Sequence, residues 1–363
     1  MKNTTNNSRL EEFNLEENQE NAEAQCNLGV IYYQGQGVDR DYDKARRLFT
    51  LSAEQGFVEA QYHLALMYYH GQGVDQSDEQ ALNGFTEVAN QKHAKAQNNL
   101  GAMYNNGQGV DRDYDEARRL FTLSAKQSCA AAQCNLGAMY NNGQGVDRDY
   151  DEARRLFTLS VEQGFAAAQY NLGVMYYQGQ GVDRDYDEAR RLFTLSVEQG
   201  FAAAQCNLGA MYNNGQGVDR DHDEARRLFT LSVEQGFAAA QFNLGVMYYQ
   251  GQGVDRDYDE ARRLFTLSAE QGYAQAQYNL GVIYYQGQGV DRDYDEARRL
   301  FTLAANQEYA VAQYLLALMY DQGQGVDQSD EQAFHWFKEA ANQEHAAAQY
   351  HLAQMYDQGQ RVD

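Results

Sequence analysis

Cysteine and histidine are the residues of this chain that most readily act as nucleophiles or metal ligands. Four cysteines stand at positions 26, 129, 134 and 206, and seven histidines stand at 63, 70, 93, 222, 335, 345 and 351. A catalytic or metal site needs several such groups at one point. His63 and His70, about two helical turns apart, form the best pair. This scatter predicts no catalytic residue, no metal ligand and no cofactor site, so we expect a protein that is not an enzyme.

Two further motifs have a chemical interpretation that their context does not support. Gly-Gln-Gly segments such as 179–181 resemble part of a phosphate-binding loop, but they follow no strand and lack its third glycine. Arg-Arg pairs such as Arg190-Arg191 could contact RNA, as some helical-repeat proteins do. Because Asp187 lies four residues before Arg191, we expect it to neutralise that arginine. We therefore predict helix-terminating turns and no binding of nucleic acid.

These motifs recur because the chain is built from one repeated unit. The dipeptide Ala-Gln returns every 36 residues, with its glutamine at 25, 61, 97, 133, 169, 205, 241, 277, 313 and 349. Nine repeats therefore occupy residues 22–345, and a half repeat occupies 346–363. We predict that residues 9–21 form a degenerate capping helix, since Phe13 and Leu15 align with Phe49 and Leu51. Residues 1–8 are predicted to be disordered.

Each repeat predicts a pair of helices, which we name helix A and helix B. In the fifth repeat, Leu172, Met175 and Tyr176 have helical spacing, and this pattern defines helix A. A glycine recurs inside helix A, which predicts close approach of a neighbouring helix. Helix B is expected to begin after Asp185 as N-cap, with Glu188 completing a capping box. The pattern predicts an all-α fold of stacked antiparallel helix pairs.

Composition and charge exclude several classes of protein. The chain contains no proline, and its formal net charge is −23, which repels nucleic acid and anionic membranes. No long apolar run could span a bilayer, and the first residues have no apolar signal segment. We therefore expect a cytoplasmic protein without a membrane partner. Export by a system that uses no N-terminal signal remains open.

The repeat resembles the Sel-1-like family, relatives of the tetratricopeptide repeat. The residues that carry the resemblance are A-x-A-Q-Y-N-L-G-x-M-Y, G-x-G-V, D-Y-x-x-A and A/S-x-x-Q-G, over residues 22–363. The resemblance implies a right-handed α-solenoid that acts as a scaffold or adaptor holding other proteins. A secreted branch with β-lactamase-like activity has a disulfide in every repeat, and the present cysteines offer no such pairing.

Four positions of helix A change together and form what we name the helix A stripe. They are spaced i, i+4, i+7 and i+8, on one face of the helix. Large side chains fill the stripe in the fifth, seventh and eighth repeats: Tyr170, Val174, Tyr177, Gln178; Phe242, Val246, Tyr249, Gln250; Tyr278, Val282, Tyr285, Gln286. Smaller ones fill it in the third, fourth and sixth repeats, including Asn141 and Asn142 in the fourth repeat and Asn213 and Asn214 in the sixth.

The stripe is expected to line the inner, concave wall of the solenoid. One interpretation is a recognition groove for a protein or an extended peptide, since aromatic and amide side chains suit such contacts. Duplication of two parent modules would produce the same linked differences without selection for binding, and both interpretations stand.

We therefore expect a non-catalytic scaffold for protein–protein interactions. A structural spacer or self-assembling element is the first alternative, and an amide hydrolase like the cysteine-rich relatives is the second. The last helix has no partner helix B after it in this sequence, so we also expect possible self-association there.

Overall fold

The computed structural model describes residues 21–357, and every regular element in that range is an α-helix. The nineteen helices described there confirm the prediction of an all-α chain of helix pairs. Helix A begins at 36-residue intervals from Ala22 to Ala346, as the repeat predicts. The predicted disordered segment 1–8 and the predicted capping helix 9–21 lie outside the described residues, except for Asn21, which caps the first helix.

The chain divides into two compact units, the first ending at Arg184 and the second beginning at Asp185. In the first unit the helices are α1 (Ala22–Gln34), α2 (Tyr42–Glu54), α3 (Val58–His70), α4 (Asp78–Asn90), α5 (Ala94–Asn106), α6 (Tyr114–Lys126), α7 (Ala130–Asn142), α8 (Tyr150–Glu162) and α9 (Ala166–Gln178). Odd-numbered helices are helix A segments, and even-numbered helices are helix B segments.

The second unit continues the same alternation. Its helices are α10 (Tyr186–Glu198), α11 (Ala202–Asn214), α12 (His222–Glu234), α13 (Ala238–Gln250), α14 (Tyr258–Glu270), α15 (Ala274–Gln286), α16 (Tyr294–Ala305), α17 (Ala310–Gln322), α18 (Asp330–Asn342) and α19 (Ala346–Asp357). Consecutive helices within each unit pack against each other, so a helix A in the interior of a unit lies between the helix B before it and the helix B after it.

The recurring helix A glycine allows close contact with a phenylalanine of helix B. A Cβ atom built on Gly101 would lie 2.9 Å from the ring of Phe121, which is fully packed in the core. Real Cβ atoms essentially never lie closer than 3.0 Å to another heavy atom. A side chain at position 101 would therefore force the Phe121 ring to move. The second repeat carries Ala65 here, and a glycine, Gly84, faces it from helix B. The prediction of close helix approach is confirmed in these repeats.

The Ala-Gln dipeptide joins neighbouring repeats through a buried side-chain amide. Gln97 donates its Nε2 to the carbonyl of Ala89, 3.3 Å away, in the preceding helix B. Its Oε1 accepts a hydrogen bond of 2.7 Å from Gln127, in the following helix B. A buried amide without partners would cost stability, and here both its ends are satisfied.

The Gly-Gln-Gly segment ends helix A, as predicted. Gly107 donates its N–H to the carbonyl of Met103 and has a φ of 69°. This left-handed conformation of Gly107 ends α5. Gly109 also has a positive φ, and a Cβ there would lie 2.8 Å from the Cβ of Asp78 in the preceding helix B. The second glycine therefore allows contact with the neighbouring repeat.

Helix B begins with an aspartate cap, but the predicted capping box forms only in half. The side chain of Asp113 accepts the N–H of Glu116 at 3.0 Å, whereas the N–H of Asp113 is bound by the carbonyl of Tyr104. The carboxylate of Glu116 instead binds Arg119, with an N–O distance of 2.6 Å. Because the cap N–H already has a backbone partner, the glutamate is free to pair with arginine.

The arginine pairs are neutralised by different acids than the sequence predicts. Arg191 binds Glu188 at 2.7 Å, and Arg190 binds Asp187 at 3.3 Å, so both pairs are spaced i, i+3. The predicted pairing of Asp187 with Arg191 at i, i+4 is wrong. Both bridges are exposed to solvent and contribute about 0.2–1 kcal/mol each.

Candidate protein-binding surface

The first position of the helix A stripe contributes mainly to packing within its own repeat. The ring of Phe242 lies 5.8 Å from that of Phe265 in helix B and 5.3 Å from that of Tyr273, the N-cap residue before the next helix A. Tyr278 makes the equivalent contacts with Phe301 and Tyr309, while Tyr170 is half-buried. These rings are therefore largely structural, and only their edges are available to a ligand.

The second and third positions are half-buried. Val174, Val246 and Val282 are all partly covered, and Val246 packs on the core of its repeat. Tyr249 and Tyr285 each meet an aromatic ring of the following helix B edge to face, at 5.5 and 5.3 Å. The hydroxyl of Tyr285 also donates to the side chain of Gln324, which lies in the Gly-Gln-Gly turn of the ninth repeat. Tyr177 is half-buried as well.

The fourth position is the exposed part of the stripe. It carries only amide side chains among the predicted residues, and all five are exposed: Gln178, Gln250, Gln286, Asn142 and Asn214. Asn141 donates to Asn142 at 3.1 Å, and Asn213 donates to Asn214 at 3.3 Å. Neighbouring stripe amides thus orient each other at the surface.

The structure brings two sets of predicted residues together in one cavity of the second unit, which we name the stripe cavity. It has a volume of about 420 Å³ and is lined by Asn213 and Asn214 from α11 and by Phe242, Val246 and Gln250 from α13. Further lining residues are Ala210, Phe229, Asn243, Gln252 and Asn279. The cavity lies where a small-residue stripe adjoins a large-residue stripe.

The stripe cavity opens because asparagine replaces tyrosine in the sixth repeat. In the seventh repeat the ring of Tyr249 covers Phe265, with ring centres 6.3 Å apart. Asn213 holds the corresponding position in the sixth repeat and has no ring, and Phe229, which is still buried at 1% exposure, lines the back of the cavity there. The change from large to small side chains therefore creates the space.

A row of asparagines beside the stripe escaped the sequence analysis. Asn135 donates to Asn98 at 2.9 Å, and Asn243 donates to the sulfur of Cys206 at 3.5 Å, each one repeat back. For Asn279, the corresponding residue one repeat back is Phe242, whose side chain accepts no hydrogen bond. The side-chain amide of Asn279 lines the stripe cavity. Asparagine at 27, 99, 135, 171, 207, 243 and 279 is the signal that could have revealed the row.

The stripe cavity is uncharged and contains no reactive group. Its lining consists of amide, aromatic and aliphatic side chains, although the chain carries a net charge of −23. Beside it, burial raises the pKa of the Cys206 thiol to about 12, partly offset by the hydrogen bond from Asn243. That thiol is protonated and unreactive at neutral pH. The arrangement can hydrogen-bond and cover apolar groups, which is what binding requires.

The histidines meet in a different combination from the predicted pair. His63 lies 3.8 Å from Glu59, and His93, the last residue of the same repeat, lies 2.9 Å from the same carboxylate, whereas His70 takes no part. The Nδ1 of His93 accepts the N–H of Ala96, so this histidine caps α5 while its Nε2 faces Glu59. Within residues 21–357, no three such groups are placed to hold a metal ion.

With this geometry established, comparison with known proteins identifies the repeat. The Sel1 repeat model matches ten consecutive segments: 22–57, 58–83, 94–129, 130–165, 166–201, 202–237, 238–273, 274–309, 310–345 and 346–363. The chain belongs to the Sel1 repeat family. Sel1 repeats form scaffolds of stacked helix pairs, and such scaffolds generally act in protein–protein interaction rather than in catalysis.

Solved structures of other Sel1 repeat proteins share the fold. A protective antigen of uropathogenic Escherichia coli strains, displaying an SLR fold, is 33% identical; the match covers 96% of this chain and 83% of that one, with a TM-score of 0.58. A Sel1 repeat protein from Oxalobacter formigenes is 28% identical, over 67% and 96% of the two chains, with a TM-score of 0.60. No curated protein matches the chain.

A more distant solved structure shares the fold, and helix length bears on whether the chain could cross a membrane. A human IFIT1 dimer with PPP-AAAA is 14% identical, over 90% of this chain and 73% of that one, with a TM-score of 0.50, and shares the fold alone. Between residues 21 and 357, none of the helices is long and apolar enough to cross a bilayer.

Proposed function

We propose that this Sel1 repeat protein binds a partner protein, or an extended peptide from one, through the helix A stripe. The stripe cavity of the second unit is the main contact. The observation that carries the proposal is the uncharged, amide-lined space of about 420 Å³ within a strongly acidic chain. Amide groups match the donors and acceptors of a peptide backbone, and the half-buried Phe242 and Val246 offer apolar surface to a side chain.

The exposed amides of the fourth stripe position extend this surface beyond the cavity. Gln250 lies in the cavity wall and Gln286 is exposed one repeat further on, so an extended peptide could follow the stripe along the second unit. The stripe is thus proposed to supply both a pocket for one side chain and hydrogen-bonding groups beside it. This combination is typical of peptide recognition.

The alternative is that the chain acts as a spacer, in which case duplication of two modules accounts for the stripe residues and no ligand binds them.

The test of the proposal fills the stripe cavity with residues that the chain itself uses at these positions in another repeat. Partners captured by the full chain are identified by mass spectrometry, and their affinity is measured by calorimetry. The variant Ala210→Val/Asn213→Tyr/Asn214→Gln gives the sixth repeat the last three stripe residues of the seventh. We expect affinity to fall at least tenfold, about 1.4 kcal/mol.

The matched control makes the same changes in the fourth repeat, at Ala138, Asn141 and Asn142. We expect this control to bind as the native chain does, with the helical circular dichroism of both variants unchanged. Alanine at Phe242 would be a poorer test because it also removes the packing against Phe265 and Tyr273. Unchanged affinity in the cavity variant, with loss on replacing Arg226 and Arg227 of helix B by alanine, would show that partners use the other face.

A further inference from the structure

The first unit has a groove on its helix B side that differs in charge from the corresponding grooves of the other repeats. It lies between α4 and α6, above α5, and has a volume of about 570 Å³. Leu100, Leu120 and Leu123 provide an apolar floor, and Lys92 and Lys126 stand at its edge. We name it the lysine groove. Leu123 is 37% exposed and is the part of the floor that solvent reaches, since Leu100 and Leu120 are buried.

The second unit contains the same groove without the lysines. Its volume is about 360 Å³, and Leu280, Leu300 and Leu303 correspond to the three leucines of the lysine groove. Here Glu270 stands where the lysine groove has Asn90, and Gly272 stands where it has Lys92. The two cavities thus share a floor and differ in the charge of their edges.

The positive charge comes from the two lysines and not from the neighbouring arginine. Arg119 lines the lysine groove but is bound to Glu116, and Arg299 is bound to Glu296 in the same way in the second unit. Lys92 and Lys126 are exposed and take part in no ion pair within residues 21–357. Their charges are therefore available to a ligand.

The lysines stand at positions where the other repeats carry different residues. Glutamate holds the position of Lys126 in five repeats and asparagine holds it in three: residues 54, 162, 198, 234 and 270, and residues 90, 306 and 342. Lys92 has a φ of 64°, the left-handed region that favours glycine. Glycine stands there in five other repeats, and Ser128, Glu308 and Glu344 stand there with a positive φ in the other three. Among the nine repeats, only the second places a cation at this position.

From this arrangement we infer that the lysine groove binds an acidic segment of a partner protein, with an apolar side chain on the leucine floor and carboxylates beside Lys92 and Lys126. Charge complementarity favours this occupant, because the groove is positive at its edge and apolar at its base. A nucleic acid is disfavoured because its phosphates would extend over a chain whose net charge is −23. The lysine groove lies on a different face from the helix A stripe, so this binding does not depend on the proposed stripe function.

The test selects peptides without assuming their sequence. A random dodecapeptide phage library is panned on the full native chain and on the variant Asn90→Glu/Lys92→Gly/Lys126→Asn, which copies residues 270, 272 and 306 of the second unit. We expect native-specific peptides with at least three acidic residues around an apolar one. The leading peptide, synthesised with a fluorophore, should bind the variant at least tenfold more weakly, and its affinity for the native chain should fall between 50 and 300 mM NaCl.

The reciprocal variant transfers the site. Glu270→Asn/Gly272→Lys/Asn306→Lys, made in the lysine-free variant, should restore binding to within threefold of the native chain. A Cβ at Gly272 meets no atom within 4 Å, and the backbone strain of a lysine at its φ of 83° is of the kind that Lys92 already bears at a φ of 64°. Absence of native-specific peptides, peptides without acidic residues, or equal binding to the lysine-free variant would each overturn the inference. So would a single-stranded oligonucleotide that binds the native chain through the same lysines when no peptide does.

Discussion

His63 stands at a position that asparagine holds in seven other repeats, and its environment couples folding to protonation. Its ring stacks on Phe49 at 4.8 Å, and its Nδ1 is buried without a hydrogen-bond partner in the described part of the chain. Burial lowers the pKa of His63, and the positive charge of Lys95 lowers it further, although Glu59 opposes both. The neutral imidazole is therefore the form that the second repeat accommodates.

We predict that the second repeat loses stability as the pH falls below the ordinary histidine value. The unfolded chain takes up a proton near pH 6.5, whereas folded His63 takes it up only at lower pH, so acid favours unfolding in that window. Although burial alone would raise it, the pKa of Glu59 is lowered by the hydrogen bond and charge of His93, so that carboxylate adds its effect only below about pH 4.3. Between pH 7.5 and 5.5 the histidine effect dominates.

The measurement is hydrogen exchange of α3 and α4 at the two pH values, corrected for intrinsic exchange rates. Protection in the native chain should fall at pH 5.5 relative to α14, α15 and α16, where no histidine occurs. His63→Asn, which restores the residue of the other repeats, should remove most of that difference. If the variant keeps the full pH dependence, another group is responsible.

At the level of the helix pair, stability depends on how closely helix A approaches helix B. Gly101→Val would place branched carbon atoms where the Phe121 ring lies 2.9 Å from a Cβ position and the carbonyl of Ala117 lies 3.3 Å away. We expect a loss of about 1–3 kcal/mol from such overpacking. Because each repeat contacts only its neighbours, increased hydrogen exchange should be confined to α4–α7.

The control for this substitution is Ala131→Val, which adds the same branched side chain at a helix A position where Val311 occurs naturally. We expect its effect on stability to stay within about 0.5 kcal/mol, as for most surface changes. Uniform loosening of both units by Gly101→Val would contradict the expectation that damage remains local.

Helix pairs and their limits could be predicted from the sequence, while the partners of individual side chains could not. The period of 36 residues, the glycine after helix A and the aspartate before helix B act locally, so the pattern reveals them. The bonds of Gln97 to Ala89 and Gln127 depend on residues in two other helices. The arginine partners depend on side-chain rotamers, which is why spacing alone led to the wrong acid.

The stripe shows the same division between what was predictable and what was not. Linked substitutions predicted which positions belong together, and the cavity does combine Asn213 with Phe242. Sequence alone could not show that the rings of Phe242 and Tyr278 pack on the aromatic N-cap residue of the next helix A, because that depends on the distance between helices. The asparagine row was visible as a period but has meaning only once its partners one repeat back are known.

For the whole molecule, a net charge of −23 sets the direction in which salt changes the contact between two copies of the chain. Two copies of the chain repel each other, and this repulsion decreases as salt shortens the screening length from about 10 Å at 0.1 M to about 3 Å at 1 M. Contacts between apolar surfaces of two copies should therefore strengthen with salt. Binding of an acidic segment to the lysine groove should weaken with salt.

Self-association through α19 remains a prediction, and this opposite salt dependence makes it testable. Tyr350 and Tyr356 are 63% and 64% exposed, the highest values among the large apolar side chains between residues 21 and 357. Their rings could cover each other in a pair of chains. We expect sedimentation velocity at 50 µM to show more dimer in 0.5 M than in 0.05 M NaCl. Tyr350→Asn, the residue of the third repeat at this position, should reduce it.

Leu303 provides the matched control for that measurement. It is 40% exposed on helix B of the same unit, so Leu303→Gln removes exposed apolar surface at a different place. If dimerisation were a general effect of screening the negative charge, both variants would sediment alike. If it uses α19, only Tyr350→Asn should shift the chain towards the monomer at high salt. A native chain that stays monomeric at both salt concentrations contradicts self-association altogether.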